Sequence, residues 1–369
     1  YPSARLFREK NNAGLGNVIE EIKTEIMKMA DARRNDYYNS GLADFRKRQF
    51  NAAFENFIKV PETDGNYYLA QNYAGVIKGM QRYWGEALDF FRRSIEVKPD
   101  FPDTYINTAI VLSEAGEQKE AGEFYGYALK LNPGNAAAWF NYGVFKQETG
   151  MIGEAADCYK RALELKPDYA SAGFNLSLMH FMSGNYKEGY KLYHWGFLTG
   201  DRVKRDLPGK EWKGENPAGK RIYVYSDQGF GDTIHFVRFL PMLKKMGAEV
   251  ILEVHPKLMN LLYKIEGADE IYPSNGSFTA ATNYDYHIPL LSFPEFLELT
   301  PERIPDGRLN LSIDPEKTEY WKQRTESDKK KIAFVWSGNP DFPKNHKRAA
   351  SFKEFSSIKK LGIYSGDQR

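Results

Sequence analysis

The sequence predicts an α-helical solenoid over roughly the first 200 residues, followed by an α/β doubly wound unit. Three prolines, Pro99, Pro133 and Pro167, are evenly spaced along the chain. Their interval of about 34 residues is typical of stacked helix pairs, each of which buries its apolar face on the next. Downstream of residue 220, short β-rich segments alternate with amphipathic helical segments. Such an alternation indicates a parallel sheet flanked by helices.

Small residues repeat with the same period as the prolines. Gly116, Gly150 and Gly184 keep this interval, and a row of alanines keeps it from Ala53 to Ala155. The clearest copy, residues 135–168, resembles a tetratricopeptide repeat through Trp139, Gly143, Gly150, Ala155, Tyr159, Ala162 and Pro167. We therefore expect five such repeats, over residues 34–65, 66–99, 100–133, 134–167 and 168–200.

The segment before the array predicts one amphipathic helix over residues 15–33. Val18, Ile22, Ile26 and Met29 are spaced as on one face of a helix. We expect this helix to pack as a cap on the first repeat.

One row of polar residues within the array predicts a binding groove. The sixth position of the first helix is occupied by Asn39, Tyr73, Asn107, Asn141 and Asn175 in the five repeats. This position is expected to face the concave side, and an asparagine amide can pair with any peptide main chain because it both donates and accepts hydrogen bonds. The pattern therefore favours a groove for extended polypeptide. The alternative is that these residues are solvated and recur without a role.

Composition argues against several other classes of function. The 51 basic and 49 acidic side chains nearly cancel, which gives no support for binding to nucleic acid or to a membrane surface through charge. The single cysteine, Cys158, excludes internal disulfides, and we expect it in the core of a repeat. The histidines show no metal-ligand spacing. No apolar stretch is long enough to span a membrane and no signal peptide is visible, so we expect a cytoplasmic protein. Self-association of the array is a further possibility.

The second half of the chain carries the predicted sheet. Strands are expected at 221–226, 248–254 and 268–273, with helices at 233–247 and 255–265 between and after them. The loop 227–232, with the sequence DQGFGD, joins the first strand to the first helix. In open parallel sheets, ligands bind at the carboxyl ends of the strands, which is where this loop falls.

The Gly-rich loop is the candidate chemical site. Glycines allow the backbone to approach a ligand, and the following helix offers its unpaired N–H groups. We therefore expect Gln228, Gly229 and Gly231 to lie against a ligand. Asp232 has two interpretations: it is either a reactive carboxylate or the N-cap of the helix, a role in which it would stabilise the helix by about 1 kcal/mol.

A family resemblance covers this loop and the end of the chain. Gly231, Asp232, His235 and Pro241 resemble the G-D-x-x-H signature of the amino-terminal lobe of GT-B glycosyltransferases, notably the heptosyltransferase-like family. Residues 332–355 are similar to the start of the second lobe of that family, through the segments 336–340 and 347–348. Ala349 departs from the serine that the family prefers. The asparagine row resembles that of O-linked N-acetylglucosamine transferases.

The resemblance implies an inverting, metal-independent transfer from a nucleotide-sugar, with no other cofactor. Asp232 would act as general base and His235 would orient the acceptor or the diphosphate. Gln228, Gly229 and Gly231 would bind the nucleotide-sugar donor. The second lobe would contribute further donor-binding residues, namely Ser337, Gly338, Asn339, Lys344, Lys347 and Arg348. Of these, the three basic side chains would offset the charge of the leaving diphosphate; the alternative is that they form a solvated loop.

These observations divide the chain into five parts: an N-terminal helix (1–33), the array (34–200), a GT-B-like lobe (201–297), a linker (298–329) and the incomplete start of a second lobe (330–369). Three functions are consistent with this order. The array presents a protein acceptor to a glycosyltransferase domain, or it is an interaction scaffold with a degenerate lobe, or the transferase acts on a glycan or lipid-linked acceptor.

Overall fold

The computed structural model describes residues 15–274, 283–297, 299–305, 309, 311 and 313–326. The chain falls into two compact units. The first contains residues 1–259 and 265–310, and the second contains residues 260–264 and 311–369. The helical array and the sheet both belong to the first unit.

Helices in antiparallel pairs form the array, as the repeat period predicts. The first helices of the pairs are α1 (Leu15–Arg46), α3 (Tyr67–Met80), α5 (Pro102–Ala115), α7 (Ala136–Glu148) and α9 (Ala170–Met182). The second helices are α2 (Phe50–Phe57), α4 (Trp84–Val97), α6 (Gln118–Leu131), α8 (Ile152–Leu165) and α10 (Tyr186–Tyr193), and a short α11 (Gly196–Thr199) follows. Cys158 is buried in the array as expected, and its burial raises the pKa of the thiol to about 11.

The helix expected over residues 15–33 and the first helix of the array are continuous. Helix α1 runs for 32 residues and passes without a break through the boundary that we placed after residue 33. The physical reason is that residues 15–46 contain no proline, so nothing in the segment interrupts the backbone hydrogen bonds of a helix.

Close contact between a glycine and an aromatic ring sets the distance between the two helices of a pair. A Cβ placed on Gly75 would lie 2.5 Å from the Phe91 ring, and one on Gly143 would lie 2.6 Å from the Tyr159 ring. Gly41 faces Phe57 in the same way. The rings are fully buried, so each first helix can approach its partner only where it lacks a side chain.

Each pair turns through one residue in the left-handed conformation, which recurs once per repeat at the interval of the prolines. Glycine occupies this site in the last three repeats, but Arg48 (φ 58°) and Arg82 (φ 64°) occupy it in the first two. The hydrogen bonds are the same in each turn: the amide of Arg82 donates to Gly79 and that of Tyr83 to Lys78, as Gly116 donates to Ser113 and Glu117 to Leu112. The turn therefore forms even where an arginine must adopt the left-handed conformation, which residues with a side chain disfavour.

Five parallel strands make up the sheet, in the order β1–β5–β2–β3–β4. They are β1 (Lys210–Glu211), β2 (Arg221–Tyr225), β3 (Glu249–Val254), β4 (Glu270–Pro273) and β5 (Tyr286–Pro289). Strands β2, β3 and β4 confirm the sequence expectation, whereas β1 and β5 were not predicted. Strand β2 lies at the centre, with Ile222 and Val224 buried on one face and Tyr223 and Tyr225 on the other.

The helices after β2 and β3 are shorter than expected. In place of one helix over 233–247, α12 (Phe230–Phe236) and α13 (Leu240–Lys245) are separated by a 3₁₀ turn over Val237–Phe239. Pro241 lies in the first turn of α13, because proline lacks the N–H that a continuing helix would need. In place of a helix over 255–265, a 3₁₀ turn at Pro256–Leu258 precedes α14 (Met259–Leu262).

The second unit contains a helix where the sequence predicted a linker. Helix α15 (Pro315–Thr325) begins after Asp314, whose side chain accepts hydrogen bonds from the amides of Glu316 and Lys317. Proline at the first helical position also favours this start. Among the described residues, no helix is both long and apolar enough to cross a bilayer.

The Gly75→Ala substitution is predicted to destabilise the array. Overpacking against the buried Phe91 ring costs about 1–3 kcal/mol, against a gain in helix propensity of about 1 kcal/mol. Gly126→Ala is the matched control, because Gly126 is also helical and a Cβ there meets no atom within 4 Å. The control should stabilise the helix. Urea unfolding of both variants tests this, and equal effects would contradict it.

The Arg82→Gly substitution is predicted to raise the free energy of unfolding by about 1 kcal/mol, because it relieves a left-handed conformation that side chains disfavour. The reverse exchange in repeat three, Gly116→Arg, should lower stability by a similar amount. Thermal unfolding followed by circular dichroism measures both. A loss of stability in Arg82→Gly would show that the arginine side chain contributes more than its backbone strain costs.

Candidate functional site

The first helices form one side of the array, which we call the inner face. Helix α3 packs against α5, and α5 packs against α7, whereas each second helix packs mainly on the first helices of its own and the following repeat. Curvature of a solenoid brings the elements of its concave side together. The inner face is therefore the concave surface on which the asparagine row was expected.

Members of the asparagine row make hydrogen bonds within the array. The Asn107 amide nitrogen donates to the side-chain oxygen of Asn72, which lies on α3, the first helix of the preceding repeat, at 3.0 Å. The Asn175 amide nitrogen donates to the Tyr159 hydroxyl at 3.2 Å, and that hydroxyl donates to Gln147 at 2.7 Å. These bonds fix the orientation of two of the predicted amides.

The other three positions of the row differ from one another. Asn39 is exposed and Asn141 is half-buried. Tyr73 is built into the packing, with its ring stacked on Phe57 at 5.1 Å and edge-on to Phe45 at 5.2 Å. Tyr73 therefore offers the inner face an aromatic edge in place of an amide.

A second row, which the sequence analysis missed, runs beside the asparagines. The residue three positions further along each first helix is aliphatic in all five repeats: Leu42, Val76, Ile110, Val144 and Leu178. Residues three apart on a helix share a face. None of the five is fully buried, and Ile110 is 38% exposed. An alignment of the five repeats would have shown this row, had we searched for partly exposed aliphatic positions.

The carboxyl edge of the sheet is the second candidate site. The strand order reverses at β2, whose neighbours are β3 and β5. Ligands in open parallel sheets bind in the crevice at such a reversal. The loops that follow β2 and β5 meet there and bring Asp227 next to Leu291, whose amide donates to the Asp227 carboxylate at 3.2 Å.

Arg202 fills this crevice, which the sequence did not predict. Its guanidinium donates twice to Asp227, at 3.0 and 2.7 Å, and once to the Ser292 hydroxyl at 2.8 Å. The Phe197 and Tyr193 rings lie 4.1 and 4.4 Å from the guanidinium carbon. Arg202 is 2% exposed and Asp227 is 7% exposed. Burial raises the pKa of the Asp227 carboxyl, and the arginine charge opposes that rise.

The Gly-rich loop lies beside this ion pair. Helix α12 begins at Phe230 with Gly229 as its N-cap, so the interpretation of Asp232 as the N-cap is wrong. The first backbone hydrogen bond of the helix runs from the Thr233 amide to the Gly229 carbonyl at 3.0 Å, so the helix starts before the aspartate. Asp232 and Gly231 are exposed in the first turn. The Gln228 amide donates to the Asp201 carbonyl at 2.7 Å, which ties that side chain to the connecting segment.

His235 lies one turn after Asp232 and contacts Arg238. Arg238 donates a hydrogen bond to its Nδ1 at 3.1 Å, which requires that nitrogen to be unprotonated. Partial burial and the Arg238 charge lower the pKa of His235, while Asp232 opposes the shift. The remaining predicted donor-binding residues lie outside the described part of the chain: Ser337, Gly338, Asn339, Lys344, Lys347 and Arg348.

Comparisons with known proteins support the assignment of tetratricopeptide repeats. A tetratricopeptide-repeat family model matches residues 136–169. Residues 136–169 therefore form a tetratricopeptide repeat. The chain is also 26% identical over 191 residues to protein FlbA of Caulobacter vibrioides, which covers 47% of this chain. The match covers 32% of FlbA, so the chain spans about a third of the length of that relative.

Several solved repeat structures are similar to part of the chain. A crystal structure of MamA is 18% identical, with a TM-score of 0.38, and covers 44% of this chain and 94% of its own. YrrB, described as a TPR protein with an unusual peptide-binding site, is 21% identical, with a TM-score of 0.35, and covers 44% and 83%. PilF of Pseudomonas aeruginosa is 18% identical, with a TM-score of 0.41, and covers 45% and 77%.

The Arg202→Met substitution is predicted to destabilise the sheet by about 3–5 kcal/mol at neutral pH, because it leaves a buried carboxylate without its partner. The double variant Arg202→Met, Asp227→Leu should recover much of that loss. Denaturant unfolding of the two single variants and the double variant gives the coupling. Additive effects would show that the ion pair does not hold the two loops together.

Proposed function

We propose that the array is an interaction scaffold that holds an extended segment of a partner polypeptide on its inner face. The observation that supports this most directly is the pairing of two rows, amides at the sixth position and aliphatic side chains three residues later. An extended chain presents main-chain donors and acceptors along its length and apolar side chains at alternate residues. The two rows match these two kinds of group.

The internal hydrogen bonds of the row hold two of its amides in one orientation before a partner binds. Each bond from Asn107 or Asn175 uses one hydrogen of the amide group, and an amide has two donors and an acceptor oxygen. The bond restricts side-chain rotation before binding. Less conformational entropy is then lost when the partner binds.

The Ile110→Gln substitution tests the inner face, because it replaces an exposed aliphatic side chain of the row with a polar one of similar length. We expect about five- to tenfold weaker binding of a dye-labelled peptide selected from a random peptide library. Val97→Gln is the control, since Val97 is half exposed but lies at the end of second helix α4. Fluorescence anisotropy gives both affinities. Equal losses in the two variants would contradict the proposed location.

Glycosyl transfer at the carboxyl edge of the sheet is the second candidate function. Its support is the exposed Asp232 in the first turn of a helix that follows a central parallel strand, with His235 one turn away. In this proposal Asp232 takes the proton of the acceptor hydroxyl. The loop glycines would hold part of the nucleotide-sugar.

The Asp232→Asn substitution separates the candidate functions. Turnover is measured with a panel of UDP-, GDP- and ADP-sugars, each offered with the selected peptide or with a glycan acceptor. A transferase that acts on protein should lose its activity in Asp232→Asn and have a higher KM for peptide in Ile110→Gln. A glycan transferase should respond only to Asp232→Asn. A scaffold should show no turnover in the unsubstituted protein and keep peptide binding in Asp232→Asn.

A further inference from the structure

A cleft between α4 and α6 lies on the side of the array opposite the inner face. Helix α5 forms the floor of the cleft, and the cavity within the cleft has a volume of about 500 Å³. The lining combines apolar and aromatic side chains with two carboxylates. The residues that matter here are Glu96 and Leu88 of α4, Tyr105 and Leu112 of α5, and Glu120 and Phe124 of α6.

In the neighbouring repeats, a lysine of the chain itself lies between a glutamate and an aromatic ring. Lys78 of α3 contacts Glu86 at 2.7 Å and lies 4.6 Å from the centre of the Phe54 ring. Lys146 of α7 contacts Glu154 at 2.7 Å and lies 4.9 Å from the centre of the Tyr142 ring. Both lysines occupy the same repeat position near the end of a first helix and are mostly buried.

Repeat three has the glutamate of the neighbouring repeats but not their lysine. Glu120 occupies the same repeat position as Glu86 and Glu154, while the position of the lysine is occupied by Leu112. Within the described part of the chain, no cation pairs with Glu120 or with Glu96. Arg92, which also borders the cleft, is bonded to Asp89. Glu120 therefore lacks the ammonium group that Glu86 and Glu154 have in the neighbouring repeats.

Three aromatic rings meet at this cleft. The Tyr105 ring centre lies 6.1 Å from that of Phe124 and 6.4 Å from that of Tyr127, and Phe124 and Tyr127 are also 6.4 Å apart. Aromatic faces attract ammonium groups, and this attraction strengthens when water is partly excluded. Lys130 already lies 5.4 Å from the centre of the Tyr127 ring, so at least one of the three attracts a cation.

We propose that this cleft binds a lysine side chain of a partner polypeptide, at a site separate from the inner face. The aliphatic stem of a lysine would lie against Leu88 and Phe124, and its ammonium group would lie beside Glu120. The partner thereby supplies the group that Lys78 and Lys146 supply within their own repeats. Both the charge and the apolar part of the cleft complement lysine.

The test uses N-acetyl-lysine methylamide as the probe and its norleucine analogue as the uncharged control. Ring currents should shift the ε-methylene protons of the probe upfield in NMR titrations with the whole chain. Glu120→Gln is expected to weaken binding about fivefold, because it removes the charge of an exposed carboxylate that would pair with the probe. The matched control is Glu123→Gln, an exposed residue of the same helix that does not line the cavity.

The Leu112→Lys variant gives the sharper result. This variant restores the lysine that the neighbouring repeats have at the same position. Because the fold accommodates a lysine there in those repeats, it should also do so in repeat three. The new side chain should occupy the cleft and abolish binding of the probe. Circular dichroism checks that the variant is folded; if it is not, Glu120→Gln decides alone. Equal binding of the norleucine analogue, no shift at any concentration of the probe, or an unchanged affinity in a folded Leu112→Lys would each overturn the proposal.

Discussion

The close approach of the two helices in each repeat depends on one contact, between a residue with little or no side chain and an aromatic ring. Glycine faces Phe57, Phe91 and Tyr159 in three repeats, and Ala109 or Ser177 takes its place in the other two. Because a small residue recurs at this position in every repeat, successive helix pairs stack in the same way and the first helices line up on one side. The amide row and the aliphatic row are consequences of that alignment.

The array could be predicted from sequence because its contacts are local and repeated. Each helix pair is formed by residues of a single repeat, and five copies of one pattern reinforce each other. The left-handed site of the turn was only partly visible, since Arg48 and Arg82 replace glycine there. Those two arginines show that hydrogen bonding in the turn outweighs the intrinsic preference of the residue.

The sheet and its edge were predicted less completely, for physical reasons. Strand β1 has two residues and β5 contains His287 and ends at Pro289, so neither shows an apolar pattern. The Arg202–Asp227 pair joins segments 25 residues apart, and only the tertiary structure shows that arginine fills the crevice. The sequence placed the Gly-rich loop after β2, but it put Asp232 in that loop, whereas α12 begins at Phe230 and contains Asp232.

Hydrogen–deuterium exchange with and without a bound peptide tests the central claim most directly, because it reports which helices the partner covers. The account predicts slower exchange in the first helices α3, α5, α7 and α9, with little change in α12. Protection concentrated in the second helices α4, α6 and α8, with the first helices unchanged, would contradict binding on the inner face.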